Sequence, residues 1–316
     1  MQKRQLGRSG IEVPPLIFGG NVFGWTTDEA TSFRLLDRLF DTGFTAIDTA
    51  DVYSVWVPGH AGGESETIIG KWLKQRGGRD KVIIATKVGA KMGSGEKGLS
   101  KAWIMQEVEH SLRRLQTDYI DLYQAHYDDE ATPLQETLEA FAALIRQGKV
   151  RAIGASNYSA KRLEEALHIS KTSGLPRYES LQPHYNLLER AAYEQELEPL
   201  CLKEGLGVIP YYGLASGFLT GKYRSEADLA KSVRGPNLRK YLNARGLRVL
   251  AAVDSVAKRL GATPAQIALA WLMARPSITA PIASATSLAQ LDEILKAADL
   301  HLDQEVVKEL NDASAS

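Results

Sequence analysis

The chain has 316 residues, 44% of them hydrophobic and 24% charged, which is enough for one large domain or two small ones around a substantial core. Thirty-eight Lys and Arg balance 38 Asp and Glu, and no basic run is interleaved with aromatics, which argues against a nucleic-acid partner. No apolar run approaches the ~20 residues of a membrane helix, residues 1–6 lead into no signal core, and the single Cys201 can form no internal disulfide, so a soluble, cytoplasmic protein without a membrane partner is expected.

Eight short β-rich runs follow in order: residues 16–21, 45–49, 82–87, 119–126, 150–156, 179–183, 207–212 and 278–283. Segments with helical spacing lie between and after them: 28–42, 64–76, 101–115, 134–147, 161–171, 190–204, 246–260 and 288–298. Gly43, Gly77, Gly148, Gly174 and Gly205 sit where helices end. Strand and helix thus alternate around eight units, the pattern of an α/β fold closed as a (β/α)8 TIM barrel, read as a single domain over 1–316 with long rim loops. Residues 53–63, with Pro58, Gly59, Gly62 and Gly63, and residues 214–244 form those loops, and residues 313–316 read as a frayed tail.

In such a barrel the carboxyl ends of the strands share one face, where Asp48, Lys87 and His126 end three runs and Tyr53 follows the first of them. Each has a bland alternative: a rim lysine, a hydrogen-bonded core histidine, a capping carboxylate, a loop aromatic. Together they compose a proton donor for a carbonyl oxygen. A free phenol, with a pKa near ~10, is a sluggish acid at neutral pH, and Asp48 and Lys87 are expected to lower the Tyr53 pKa toward working pH. Ser156, Asn157, Gln182 and Tyr211 end later runs and suit a flat amide-bearing ring such as nicotinamide. Phe23, Trp25, Trp56 and Tyr127 are candidates for a substrate wall. His60, His110, His168, His184 and His301 lack metal-ligand spacing, and no metal is expected.

The motifs Gly43-Phe-Thr-Ala-Ile-Asp-Thr-Ala, Thr86-Lys87, Asp121-Leu-Tyr-Gln-Ala-His126, Gly148-Lys-Val-Arg-Ala-Ile-Gly-Ala-Ser-Asn157, Leu181-Gln-Pro-His-Tyr-Asn186 and Gly217-Phe-Leu-Thr-Gly-Lys-Tyr223 occur in that order. Through them the chain resembles the aldo-keto reductase family along nearly its whole length. The resemblance implies a barrel that binds an extended nicotinamide dinucleotide without a Gly-rich phosphate loop. It implies a catalytic tetrad of Asp48, Tyr53, Lys87 and His126. It further implies that Ser156, Asn157 and Gln182 hold the carboxamide, that Tyr211 stacks on the nicotinamide, and that Gly20 and Asn21 line its other side. By the same resemblance, the segment around Leu214, Ser216, Gly217, Leu219 and Gly221 wraps the pyrophosphate.

Two departures from the family pattern stand out. Gly213 occupies a position where relatives commonly have Pro, from which a more flexible turn is expected. Residues 284–294 contain no Lys or Arg against an adenosine 2′-phosphate, leaving Ser284, Thr286, Ser287 and Gln290 as neutral donors and Lys222, Arg224 or Arg234 as sources of charge. NADP(H) is favoured and NAD(H) is possible. The expected reaction is reversible reduction of an aldehyde or ketone by a monomer or weak homo-oligomer. One alternative is a cofactor-binding redox sensor resembling potassium-channel β subunits, against which we set the absence of an appended N-terminal docking segment. The other is a hydrolase pairing Asp48 with Asp51 or Glu64.

Overall fold

The computed structural model describes residues 1–315. Eight parallel strands form its central sheet: β3 (Ile17–Gly19), β4 (Ala46–Asp48), β5 (Ile83–Val88), β6 (Ile120–Ala125), β7 (Val150–Ser156), β8 (Tyr178–Gln182), β9 (Gly207–Val208) and β10 (Ile282–Ala283). Sequential strands pair from β3 to β9, and β10 pairs with β3. A parallel bridge between Val208 and Ile278 joins the remaining edges, with the Thr279 amide donating to the Val208 carbonyl at 2.8 Å. Closure removes the free edges that an open sheet would expose. The expected (β/α)8 architecture is present.

The two-residue side-chain period of the strands explains the interior. Ala46, Ala85, Leu122 and Ala152 share one small-residue apolar cluster with Ile17, Ile209 and Ile282 inside the barrel, whereas Ile47, Ile84, Tyr123 and Ile153 join the large cluster under the helices. Two residues further along, the inward positions carry Asp48, Lys87, Gln124 and Gly154, in a register that pairs Lys87 with Gln124 and Gln124 with Gly154. A polar layer therefore sits directly above the apolar one, at the carboxyl ends.

An N-terminal hairpin absent from the expected elements, β1 (Arg4–Gln5) and β2 (Glu12–Val13), closes the other end. Its Leu6, Ile11 and Val13 belong to the interior cluster, and Arg4 donates to the carbonyls of Met273, Ile278 and Thr279. Gly7 has φ +58°, and a Cβ there would lie 2.2 Å from the Glu179 carbonyl oxygen.

The helices are α1 (Glu29–Thr42), α2 (Glu64–Arg76), α3 (Lys101–Leu115), α4 (Leu134–Arg146), α5 (Ala160–Ser173), α6 (Ala191–Glu194), α7 (Leu197–Glu204), α8 (Ala244–Leu260), α9 (Pro264–Met273), α10 (Leu288–Leu295) and α11 (Gln304–Ser314). The segment expected as one helix over 190–204 is two. Pro199 has no N–H to give the carbonyl of Gln195, so the helix restarts with Pro199 in its first turn. The frayed tail is also overturned. α11 runs to Ser314, whose buried hydroxyl accepts from Arg190 at 2.8 Å, while Arg245 and Arg248 donate to the carbonyls of Ser314, Ala313 and Ala315. Ser316 lies outside the described residues. The rim segment 214–244 is organised rather than open, with three 3-10 turns at Ala215–Thr220, Glu226–Lys231 and Gly235–Tyr241. No helix among the described residues is long and apolar enough to cross a membrane.

Candidate active site

A cavity of about 960 Å³ opens at the carboxyl ends of the strands. Asp48, at the end of β4, lies on its floor, and Lys87, near the end of β5, is buried behind it, off the cavity wall. Lys87 is fully buried, and its Nζ donates to Asp48 Oδ2 at 2.8 Å, to the Thr49 carbonyl at 2.7 Å and to the Tyr53 hydroxyl at 2.9 Å. All three hydrogens of the ammonium are thus taken up by oxygen. The Tyr53 hydroxyl donates to Asp48 Oδ2 over a longer 3.2 Å, and Gln182 Nε2 donates to the other carboxylate oxygen at 2.8 Å.

Burial dominates the electrostatics. It pushes Tyr53 well above the ordinary phenol range, and the Asp48 carboxylate adds to that. Sequence reasoning expected the opposite direction, because it weighed the ammonium and left out desolvation and the carboxylate hydrogen bond. Burial also lowers Lys87, with Asp48 pulling it back up. Tyr53 is therefore a protonated phenol with an ammonium against its oxygen.

His126 stands beside Tyr53, ring centroids 6.1 Å apart and edge-on, and stacks on Tyr127 at 4.9 Å. Burial and then the Lys87 charge hold it well below the usual imidazole value, so it is neutral at pH 7. Its Nδ1 is buried with no partner among the described residues.

Asp51 is not on the cavity wall. It is fully buried, its Oδ1 accepts from the Val52 amide at 2.6 Å, and burial followed by the charges of Glu66 and Glu107 raises its pKa strongly. Glu64 caps the Ala61 amide at 3.0 Å, and neither residue lines the cavity. The carboxylate pair of a hydrolase is not assembled.

From Asp48 the cavity runs as a groove across the rim. Asn21, Ser156, Asn157, Gln182, Tyr211, Leu214, Ser216, Gly217, Ser284, Thr286 and Gln290 line it, whereas Gly20, Leu219 and Gly221 do not. Leu219 is packed in the core, and Gly20 sits beneath the wall against Ser65 and the Asp48 carbonyl. Asn157 takes φ +56°, which lets its amide donate to the His126 carbonyl at 3.0 Å and accept from the Tyr211 hydroxyl at 2.8 Å. Ser156 donates to the Gln182 carbonyl at 2.9 Å.

Gly213 departs from expectation in its physical role. Its φ is not in the left-handed region, and a Cβ would press on Leu272 at 2.9 Å and Leu269 at 3.3 Å. The turn is packed on α9 rather than loosened. Of the three cations considered for the groove, Arg224 is spent on Asp254 in a two-pronged pair at 2.6 and 2.9 Å. Lys222 and Arg234 line the groove without a salt bridge among the described residues, and Arg234 lies over the Trp25 ring at 4.8 Å with a buried, unpartnered Nη2.

Aromatic rings crowd the mouth. Trp25, Trp56 and Tyr127 line it, with Trp56 edge-on to Trp25 at 5.4 Å, while Phe23 is buried against Phe18 and takes no part. Sequence reasoning missed Tyr212 and Glu293 on the wall. Glu293 lies three residues after Gln290 on α10, a helical spacing that points to the same face.

A model of the aldo/keto reductase family matches residues 15–315. The chain belongs to the aldo/keto reductase family. This aldo/keto reductase is 39% identical to the uncharacterized oxidoreductase YrpG of Bacillus subtilis, across 99% of the chain and 95% of that protein. It is 33% identical to the aldo-keto reductase YhdN of the same organism, across 98% and 93%. A probable voltage-gated potassium channel subunit beta of Arabidopsis thaliana matches at 34%, across 95% and 92%. The protein is thus an oxidoreductase by family, carrying its buried Lys–Asp–Tyr cluster at the carboxyl face of the barrel.

Proposed function

We propose that this aldo/keto reductase reduces an aldehyde or ketone to an alcohol, reversibly, with Tyr53 as the proton donor and a nicotinamide dinucleotide as the hydride source. The observation that carries this is the Lys87 ammonium 2.9 Å from the hydroxyl of a protonated phenol at the cavity floor. The Tyr53 proton is held by Asp48 only at 3.2 Å, so a carbonyl oxygen entering the cavity competes for it. As the proton leaves, the phenolate forms against an ammonium already in place, which is preorganised electrostatic stabilisation. Neutral His126 orients the carbonyl oxygen, and positioned acid catalysis of this kind contributes ~10² to 10⁴-fold. Asp48, 2.8 Å away, keeps Lys87 charged against burial.

The groove fits the dinucleotide. The amides of Asn157 and Gln182 and the Ser156 hydroxyl offer partners to a carboxamide, and Tyr211 offers a ring face to the nicotinamide. Lys222 and the unpartnered Arg234 Nη2 offer charge to phosphates, which favours NADP(H) over NAD(H). When bound, the reduced nicotinamide supplies hydride to the carbonyl carbon.

Tyr53→Phe is expected to abolish nearly all turnover of a generic aldehyde while leaving NADPH affinity, read by quenching of tryptophan emission, close to wild type. Near-normal turnover in that variant removes Tyr53 from the donor role. A second reading, a redox-sensing subunit, is favoured by the relatives named as potassium channel β subunits. Steady multiple turnover by the isolated protein decides for the enzyme, and a single turnover followed by arrest decides for the sensor.

A further inference from the structure

Tyr211 has one ring face toward the groove, and its other face is covered. His184, on the segment after β8, stacks against that back face with centroids 5.3 Å apart and planes 16° from parallel. A parallel bridge joins the two residues, and the Tyr211 amide donates to the Pro183 carbonyl at 3.0 Å, which fixes the two backbones side by side. Tyr212 closes the arrangement edge-on to both rings, at 5.4 Å from His184 and 5.1 Å from Tyr211. Asn186 donates to the Tyr212 carbonyl at 2.9 Å and lies 3.4 Å from His184 Nε2, so it braces the histidine and the turn together. His184 is not part of the cavity wall. It reaches the groove through Tyr211, which it backs face to face, and through the edge of Tyr212.

We propose that His184 is a positioning residue that sets the plane of Tyr211 from behind, and thereby the grip of the groove on a flat nicotinamide ring it never contacts. The inference rests on the dinucleotide reading above. The Tyr211 hydroxyl is fixed by Asn157 at 2.8 Å, which pins one point of the ring but leaves it free to rock about its long axis. A parallel ring behind it removes that freedom. A rocking ring loses offset-stacked contact with its partner, and such contact is worth about threefold to tenfold in affinity.

The test compares wild type, His184→Ala and His184→Phe by calorimetric titration with NADPH and with adenosine 2′,5′-bisphosphate, which lacks nicotinamide. His184→Ala is expected to weaken NADPH binding about threefold to tenfold and to leave the adenosine fragment unchanged. The unchanged fragment also shows that the variant is folded. His184→Phe, which restores a flat backing ring, is expected to recover most of the loss. Equal NADPH affinity in wild type and His184→Ala overturns the inference alone, as does a parallel loss for both ligands. Wild-type protein that binds the fragment no more weakly than NADPH overturns the nicotinamide contact itself, and with it the reading beneath.

Discussion

Asp48 and Asp51 are three residues apart and both buried, yet their surroundings differ sharply. Asp48 receives Lys87 at 2.8 Å and Gln182 at 2.8 Å, whereas Asp51 has an Oδ2 with no partner and faces Glu66 and Glu107. Burial and those two carboxylates outweigh the Arg114 charge and favour the neutral form of Asp51, so Asp51→Asn is expected to cost far less stability than removal of an ion-pair partner. Lys87→Met, which strands Asp48, is expected to cost about 3–5 kcal/mol. Denaturant midpoints of the two variants read the contrast, and similar losses in both defeat it. His126 gives a pH signature. Its folded pKa lies well below the unfolded value of ~6.5, so the unfolded chain takes up a proton that the folded one refuses. That contribution to stability is present above pH ~6.5 and is lost as pH falls below it. His126→Gln should flatten this part of the stability profile. Tyr53 shifts the other way. A donor raised well above the phenol value stays protonated, so any alkaline fall in the reductive rate should follow loss of the Lys87 ammonium, which burial lowers, rather than loss of the Tyr53 proton, and a fall centred near neutrality contradicts the protonated phenol.

Elements position those residues through a second buried cluster. Arg114 on α3 donates to Glu66 on α2 at 2.7 Å and to Glu107 on its own helix, while Glu66 accepts from the Thr86 hydroxyl at 2.6 Å, next to Lys87 on β5. One guanidinium therefore ties two helices to the strand that carries the ammonium. Arg114→Met leaves two buried carboxylates uncompensated and is expected to destabilise by about 3–5 kcal/mol, read as a lowered thermal midpoint. A midpoint unchanged from wild type means the cluster is dispensable. What was legible in the sequence follows the same physics. The strand runs were readable because their ends carry polar residues after short apolar stretches, and α2 and α3 match their expected bounds because one face of each is polar. α9 was missed because residues 265–272 are all buried, so no amphipathic period marks it. Its signals were local instead: Thr263 and Gln266 form a capping box, with Pro264 at the first position. The Tyr53 shift was not legible, since desolvation depends on the packing of a loop around the phenol.

At the scale of the whole molecule, a formal charge of zero conceals a polarised rim. Arg224 is paired with Asp254 and Arg38 with Asp292, whereas Lys91, Lys222 and Arg234 face the groove without a salt bridge among the described residues. Burial holds the Arg234 guanidinium below its ordinary value, an electrostatic cost that an anion in the groove relieves. Ligand binding to the folded state alone stabilises by about 2.7 kcal/mol at a hundredfold excess over Kd. The unpaired cations should make that gain larger for NADPH than for NADH at equal concentration, because the extra phosphate meets charge that NADH leaves unused. Arg234→Met should bring the NADPH-induced rise in thermal midpoint down toward the NADH value, while the ligand-free midpoint falls only by what the Trp25 contact contributes, since Arg234 forms no salt bridge among the described residues. A larger rise with NADH than with NADPH in the wild-type protein would reverse the assignment and shift the discriminating contact to Glu293, whose carboxylate on the same groove suits a ribose hydroxyl and repels a phosphate.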